Sequence, residues 1–162
     1  MQSRKVTILL FATYLAFLTW IILFKLDIFS TLQLAYYDSR EPRINFVGTA
    51  MYNGILDYQE ISLNILCFIP FGIYLEMLDR TATWIKNLSI MLVVSLVYEV
   101  LQYTFRIGVA DMTDILANGL GGAIGINIMY VLTSIWREKA YARVNQVALL
   151  LTILVAGLLL LI

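Results

Sequence analysis

The sequence predicts an all-α membrane protein, a polytopic bundle of about five transmembrane helices. Of its 162 residues, 61% are hydrophobic and only 14% are charged, whereas soluble domains usually carry about 25% charged residues. The apolar residues gather in five runs that reach or approach the roughly 20 residues a helix needs to cross a bilayer. Because a backbone in lipid must satisfy its hydrogen bonds within the segment, these runs predict helices.

The five predicted spans follow one another with short connections, apart from the first connection. They are Val6–Phe24, Ile61–Leu78, Leu88–Phe105, Ile115–Ile135 and Val147–Ile162. Arg4 and Lys5 precede the first span as they would a signal peptide, but its apolar core is too long and no small-residue cleavage site follows it. We therefore expect it to be retained. Pro70 lies within the second span and should kink it.

The basic residues beside the spans predict the orientation, since cytoplasmic loops carry an excess of lysine and arginine. The side that holds the N-terminus would carry Arg4, Lys5, Arg80, Lys86, Arg137, Lys139 and Arg143. The other side would carry Lys25, Arg40, Arg43 and Arg106. We expect the N-terminus inside and the C-terminus outside, in the cell membrane. The stretch Trp136–Asn145 is then expected to be a basic connector on the inner side.

The chain is expected to form a single domain over residues 1–162, with one long outer segment at residues 25–60. Aromatic side chains such as Tyr36, Tyr37 and Tyr52 are scattered through this segment, and such residues favour the membrane–water interface. A long loop in a compact fold is often functional. We expect either a lid over the outer face or a connector that rests on the headgroups.

Polar residues at helical spacing predict a candidate site in the outer half of the membrane. Glu99, Gln102 and Arg106 stand at i, i+3 and i+7, so they share one stripe of the third span. The starts of the second and fourth spans lie on the same side of the membrane in the predicted topology. The candidate site comprises Asn64, Glu99, Gln102, Arg106, Asp111, Asp114 and Asn118.

Glu99 is the residue whose position most needs an explanation. The rise of an α-helix places it roughly 10 Å deeper in the membrane than Arg106. An ionised side chain at the centre of a membrane helix costs about 2.5–3.5 kcal/mol on insertion scales. We expect Glu99 to be protonated, paired with Arg106, bonded to Asn118 or open to a water-filled cleft. The structural alternative is polar glue between helices, which contributes on average only about 0.6 kcal/mol per contact.

The aspartates at the helix starts have a second interpretation as caps. Asp111 and Asp114, like Asp57 and Glu60, precede or open an apolar run, where a carboxylate accepts backbone N–H bonds and complements the helix dipole. Capping does not account for Asn118, which lies one turn deeper than Asp114.

Glycines of the stretch NGLGGAIG predict close helix packing. Gly121, Gly122 and Gly125 follow Asn118, and the small-x-x-x-small spacing of Gly121 and Gly125 allows another membrane helix to approach closely.

The composition argues against several kinds of chemistry. Histidine is absent and Cys67 is the single cysteine, so an internal disulfide is excluded and a histidine-activated nucleophile lacks its base. We expect no metal, no cofactor and no catalytic group. The net charge of +0 argues against a nucleic-acid partner bound through bulk charge.

The chain resembles the VanZ-like membrane proteins over nearly its whole length. The resemblance rests on LTWIILFKLD, NILCFIPFG, SLVYEVLQYTF and GVADMTDILANGLGGAIG. By resemblance, the family's polar positions fall on Asn64, Glu99, Gln102, Asp111, Asp114, Asn118 and Gly121. The family's Asn-x-x-Pro-Phe element is reduced here to Asn45. The resemblance implies a role in resistance to teicoplanin, a glycopeptide that carries a fatty acyl chain.

Three functions remain open at this point, and the first is favoured. The protein could bind an amphiphile at the outer leaflet without catalysis, either a lipidated glycopeptide or a lipid-linked cell-wall precursor. It could be an intramembrane enzyme acting on a lipid headgroup, with Glu99 or Asp114 as general base. It could be a proton-linked transporter or flippase that uses Glu99 and Glu76, for which so small a chain would need an oligomer. Membrane lipids are expected partners in every case.

Overall fold

A computed structural model describes residues 4–24, 44–45, 51–52, 55–56, 58–107 and 110–159 of the chain. Its helices are α1 (Arg4–Phe24), α2 (Tyr58–Leu78), α3 (Trp84–Phe105), α4 (Met112–Trp136) and α5 (Lys139–Leu159). All five are long and apolar enough to cross a membrane. This confirms the predicted all-α class and the five spans, while the N-in, C-out orientation stays a prediction.

Among the described residues, four two-residue strands accompany the helices: β1 (Ile44–Asn45), β2 (Met51–Tyr52), β3 (Ile55–Leu56) and β4 (Ala110–Asp111). β1 pairs in parallel with β4, with Asn45 opposite Asp111, and β2 pairs antiparallel with β3. The sequence did not predict these pairs, because two residues are too few to show strand periodicity. The β1–β4 pair places residues 44–45, from the long segment between α1 and α2, beside the start of α4.

Contacts between helix termini mark the two ends of the bundle. At one end the side chain of Gln102 in α3 bonds the carbonyl of Ile22 near the end of α1. We call this the Glu99 end. At the other end Arg80, just after α2, forms a two-pronged ion pair with Glu138, just before α5. We call this the Arg80 end.

Glycines allow α2 and α4 to pack backbone against backbone. A Cβ added at Gly121 would collide with the carbonyl oxygen of Ile65, and one at Gly125 with that of Ile69. On α2, a Cβ at Gly72 would collide with the carbonyl oxygen of Gly122 in α4. Two helices this close leave no room for a larger side chain at Gly121 or Gly125.

The predicted connector Trp136–Asn145 is wrong, because α5 begins at Lys139. Arg137 and Glu138 alone separate α4 from α5. The first turns of α5 are amphipathic: Asn145 is fully buried and donates from Nδ2 to the hydroxyl of Thr7 at 2.9 Å, whereas Lys139 lies exposed. A helix with basic residues on its exposed side can thus be mistaken for a loop when only the charge of the sequence is considered.

Candidate functional site

Asp111 begins α4 and also contacts α3. Its Oδ1 accepts the N–H of Thr113 at 2.8 Å, so it is the N-cap of α4. Its own backbone N–H donates to Oε2 of Glu99 at 2.8 Å. Both side chains are buried, with Glu99 only 4% exposed. Asp111 therefore has the capping role that the sequence allowed, and it also brings the start of α4 against the carboxyl group of Glu99.

Arg106 does not pair with Glu99, so that expectation is wrong. α3 ends at Phe105, and Arg106 takes the left-handed conformation with a φ of 57°. The Arg106 side chain is exposed, and no ion pair joins it to Glu99 in the described ranges. A left-handed residue directs the chain away from the helix axis, so the i, i+7 spacing of a continuing helix does not apply here.

Asn64 and Asp114 meet across α2 and α4. Nδ2 of Asn64 donates to Oδ1 of Asp114 at 2.7 Å. Asp114 stands in the first turn of α4, where its negative charge is favourable against the helix dipole. Asn64 is next to Ile65, whose carbonyl packs against Gly121 two turns after Asp114, so close packing of α2 on α4 brings these two polar groups together.

Asn118 lies deeper in the bundle and bonds α3 rather than Glu99. It is 2% exposed, and its Nδ2 donates to the hydroxyl oxygen of Ser95 at 2.8 Å. Its Oδ1 is buried with no hydrogen-bond partner among the described residues. The expected bond between Asn118 and Glu99 is therefore not formed.

Gln102 has the same incomplete pairing. It is 6% exposed, and its Nε2 donates to the backbone carbonyl of Ile22 at 2.9 Å. Its Oε1 is buried without a partner in the part of the chain that the structure describes. Gln102 thus joins α3 to α1 and keeps one acceptor unused.

Carboxyl groups gather around Glu99. Those of Asp114, Asp111 and Glu60 lie near enough to repel its ionised form. Charges interact more strongly in a bundle interior than in water. Over the described ranges, no group of three or more Asp, Glu or Cys side chains has an arrangement that could hold a metal ion. Asp57, the other predicted cap of this region, lies outside the described residues.

Two contributors to the site were missed from the sequence. Ser95 stands four residues before Glu99, so its place on the same stripe of α3 could have been recognised. The carbonyl of Ile22 carried no signal, because any backbone carbonyl looks alike in a sequence and only the packing of α1 on α3 selects this one.

Glu76 lies apart from the candidate site, towards the Arg80 end. Its Oε2 accepts from Nδ2 of Asn87 at 3.0 Å, and Asn87 is fully buried. Beyond the helix ends, Arg80 lies 3.8 Å from the ring centroid of Tyr141. Its guanidinium also lowers the pKa of the Glu138 carboxyl. These contacts join the α2–α3 and α4–α5 connections, and they share no residue with the candidate site.

Fold and site together define a multi-pass helical membrane protein with a group of buried polar side chains at the Glu99 end of the bundle. Residues 11–137 match the VanZ/LLP1 family. The chain is also 32% identical to Protein VanZ of Enterococcus faecium over 136 residues, which are 83% of this chain and 80% of that protein. The chain belongs to the VanZ/LLP1 family, which confirms the resemblance seen in its motifs. No solved structure matches it.

Proposed function

We propose that the protein contributes to teicoplanin resistance by binding an amphiphilic envelope ligand at the Glu99 end. The ligand is a lipidated glycopeptide or a lipid-linked cell-wall precursor. The observation that carries the proposal is the burial of Glu99, Gln102 and Asn118 together at one end of the bundle. Kinship with VanZ of Enterococcus faecium supports resistance as the role.

The energetics favour a functional reason for these groups. A buried polar atom left without a partner costs about 1–3 kcal/mol, and Gln102 and Asn118 each bury one such oxygen over the described ranges. The contacts that these side chains do make, to Ile22 and Ser95, gain on average only about 0.6 kcal/mol each in a membrane protein. The interhelical hydrogen bonds therefore do not offset the cost of burying the unpaired oxygens, whereas a ligand that completes the hydrogen bonds would.

An amphiphile suits the surroundings of the site. Two residues along α4 from Asp114 and Asn118, on another face of the helix, the side chains of Leu116 and Leu120 are exposed. In a bilayer such a surface contacts acyl chains. A ligand could keep its acyl chain in lipid along α4 and place its polar part at the Glu99 end, at a depth where Glu99 and Asp114 can reach it.

The two other functions have less support. An enzyme needs a free base beside a nucleophile, but Glu99 is bonded to the N–H of Asp111 and Asp114 to Asn64. A proton path would have to connect Glu99 with Glu76. Such a path would run through the core of the bundle, which holds the apolar cluster that includes Phe68.

Resistance measured with two drugs tests the proposal. Cells that express the protein and cells with an empty vector are exposed to teicoplanin and to vancomycin. We expect protection that is clearly stronger for teicoplanin, because only teicoplanin carries the acyl chain. Asn118→Leu should lose the protection. The matched control is Asn127→Leu on the same helix, since Asn127 is exposed and bonds only its own helix backbone. Equal protection against both drugs, or none, would contradict the proposal.

A further inference from the structure

Two buried amide side chains at the Glu99 end each keep one hydrogen-bond acceptor unused. The amide nitrogen of Gln102 donates to the carbonyl of Ile22, and the amide nitrogen of Asn118 donates to the hydroxyl of Ser95. What remains on each is a buried oxygen, without a partner among the described residues. An amide oxygen can only accept a hydrogen bond, so each of these two oxygens can be paired only by a hydrogen-bond donor.

The two oxygens belong to the neighbourhood of Glu99. Gln102 lies three residues after Glu99, on the same face of α3. Asn118 is bonded to Ser95, four residues before Glu99 on that face. The amide groups therefore flank Glu99 from the turn above and the turn below. The carboxyl group of Glu99 adds a third acceptor, itself 4% exposed.

Two backbone donors at the start of α4 are already engaged. The start of a helix usually offers free N–H groups to an anion, but at α4 the N–H of Asp111 binds Glu99 and that of Thr113 binds the Asp111 side chain. The carboxyl groups around Glu99 would also repel an anion. A phosphate or pyrophosphate, which needs donors, is therefore poorly matched to this position.

We propose that the group bound between α3 and α4 is a hydrogen-bond donor, a primary ammonium group at the polar end of the amphiphile. It would donate to Glu99, to Oε1 of Gln102 and to Oδ1 of Asn118. The inference rests on the proposed binding function and specifies the chemistry of its ligand. Such a donor is present both in an aminolipid headgroup and in the amino group of a glycopeptide.

The first arm of the test uses two lipids of equal charge. Phosphatidylethanolamine has an ammonium with three donors, whereas the quaternary ammonium of phosphatidylcholine has none. Binding of each lipid to the purified full-length protein in detergent is measured by native mass spectrometry. We expect phosphatidylethanolamine to bind roughly tenfold more tightly, the difference expected from one charge-assisted hydrogen bond. Gln102→Met and Asn118→Leu should each reduce that preference, while Asn127→Leu should keep it.

The second arm compares teicoplanin with a derivative acetylated on its amino group, with the same protein and the same variants. Weaker binding of the acetylated form identifies the glycopeptide as the source of the donor. A preference between the two lipids identifies the lipid as the source. Either result supports the inference.

Equal binding of the two lipids, together with equal binding of the two forms of teicoplanin, would overturn the inference. It would indicate that the amide oxygens meet only water. This outcome is separate from failure of the proposed function, which is measured by the protection of cells. Because the decisive comparisons are made on the unaltered protein, they do not depend on whether a variant folds.

Discussion

Glu99 and the backbone N–H of Asp111 are joined by a 2.8 Å hydrogen bond, and Asp111 is also the residue opposite Asn45 in the parallel β1–β4 pair. One carboxyl group in α3 thus fixes the start of α4, and through it the position of β1. The position of Glu99 matters for geometry as well as for charge.

Removing the Glu99 carboxyl should loosen the β1–β4 pair. Ile44 and Ala110 are opposite each other in that pair, at a spacing that a disulfide can bridge. In a Cys67→Ser background, Ile44→Cys with Ala110→Cys should form a disulfide readily on oxidation. Adding Glu99→Ala should lower the yield severalfold on a non-reducing gel. Glu138→Ala, at the Arg80 end, is the control and should leave the yield unchanged. Equal yields in all three proteins would show that Glu99 does not hold the pair.

Substitution of the packing glycines should reduce the amount of protein according to what each one meets. Gly125→Leu would force a side chain into the backbone of α2, at the carbonyl of Ile69, and overpacking of this kind costs about 1–3 kcal/mol or more. Gly122→Leu meets the side chain of Met91, which can move, so its loss should be smaller. Immunoblots of the membrane fraction measure the amounts.

Gly157→Leu provides the matched control for the glycine series. An added Cβ at Gly157 meets nothing within 4 Å, so the same change should leave the amount near normal there. A fall as large as that of Gly125→Leu would mean that bulk itself, rather than contact between α2 and α4, limits accumulation.

The ion pair at the Arg80 end should make a small, pH-dependent contribution to stability. The Arg80 guanidinium lowers the pKa of the Glu138 carboxyl, so the contribution is present above the ordinary carboxylate pKa. It is lost as the pH falls through the lowered value. We expect Glu138→Gln to lower the thermal midpoint slightly at pH 7, and the two midpoints to converge under acid conditions. A difference between the two thermal midpoints that grows on acidification would contradict a stabilising role of this ion pair.

The predicted orientation can be tested by labelling single cysteines in a Cys67→Ser background. If the N-terminus is inside, a cysteine at Asp38 should react with an impermeant thiol reagent in intact cells. One at Lys139 should react only after lysis, because it starts α5 at the opposite end of the bundle. The reverse pattern would place the Glu99 end on the cytoplasmic side and remove the outer-leaflet part of the proposal.

Long apolar runs made the helices predictable, since a membrane-spanning helix needs about 20 consecutive apolar residues. The start of α5 was missed because Lys139 and Arg143 resemble a loop, although they lie on the exposed side of a helix whose other side packs against Thr7. Helical spacing predicted that Glu99 and Gln102 share a stripe. Their partners could not be predicted, because both are backbone groups, the N–H of Asp111 and the carbonyl of Ile22.

The central claim is that the buried polar groups at the Glu99 end are functional, and one measurement tests it most directly. Teicoplanin protection is measured for Glu99→Gln, Asp114→Asn and Asn118→Leu, and each value is set beside the amount of that variant in the membrane. Glu99→Gln keeps the shape and one acceptor, Asp114→Asn keeps much of its value near the helix start, and Asn118→Leu loses only a weak interhelical contact. We therefore predict that all three remain at near-normal amounts and lose protection. If the three variants fall in amount as Gly125→Leu does, the polar groups are structural. If they stay abundant and protect as well as the unaltered protein, the groups are not needed for function. Either result would contradict the claim.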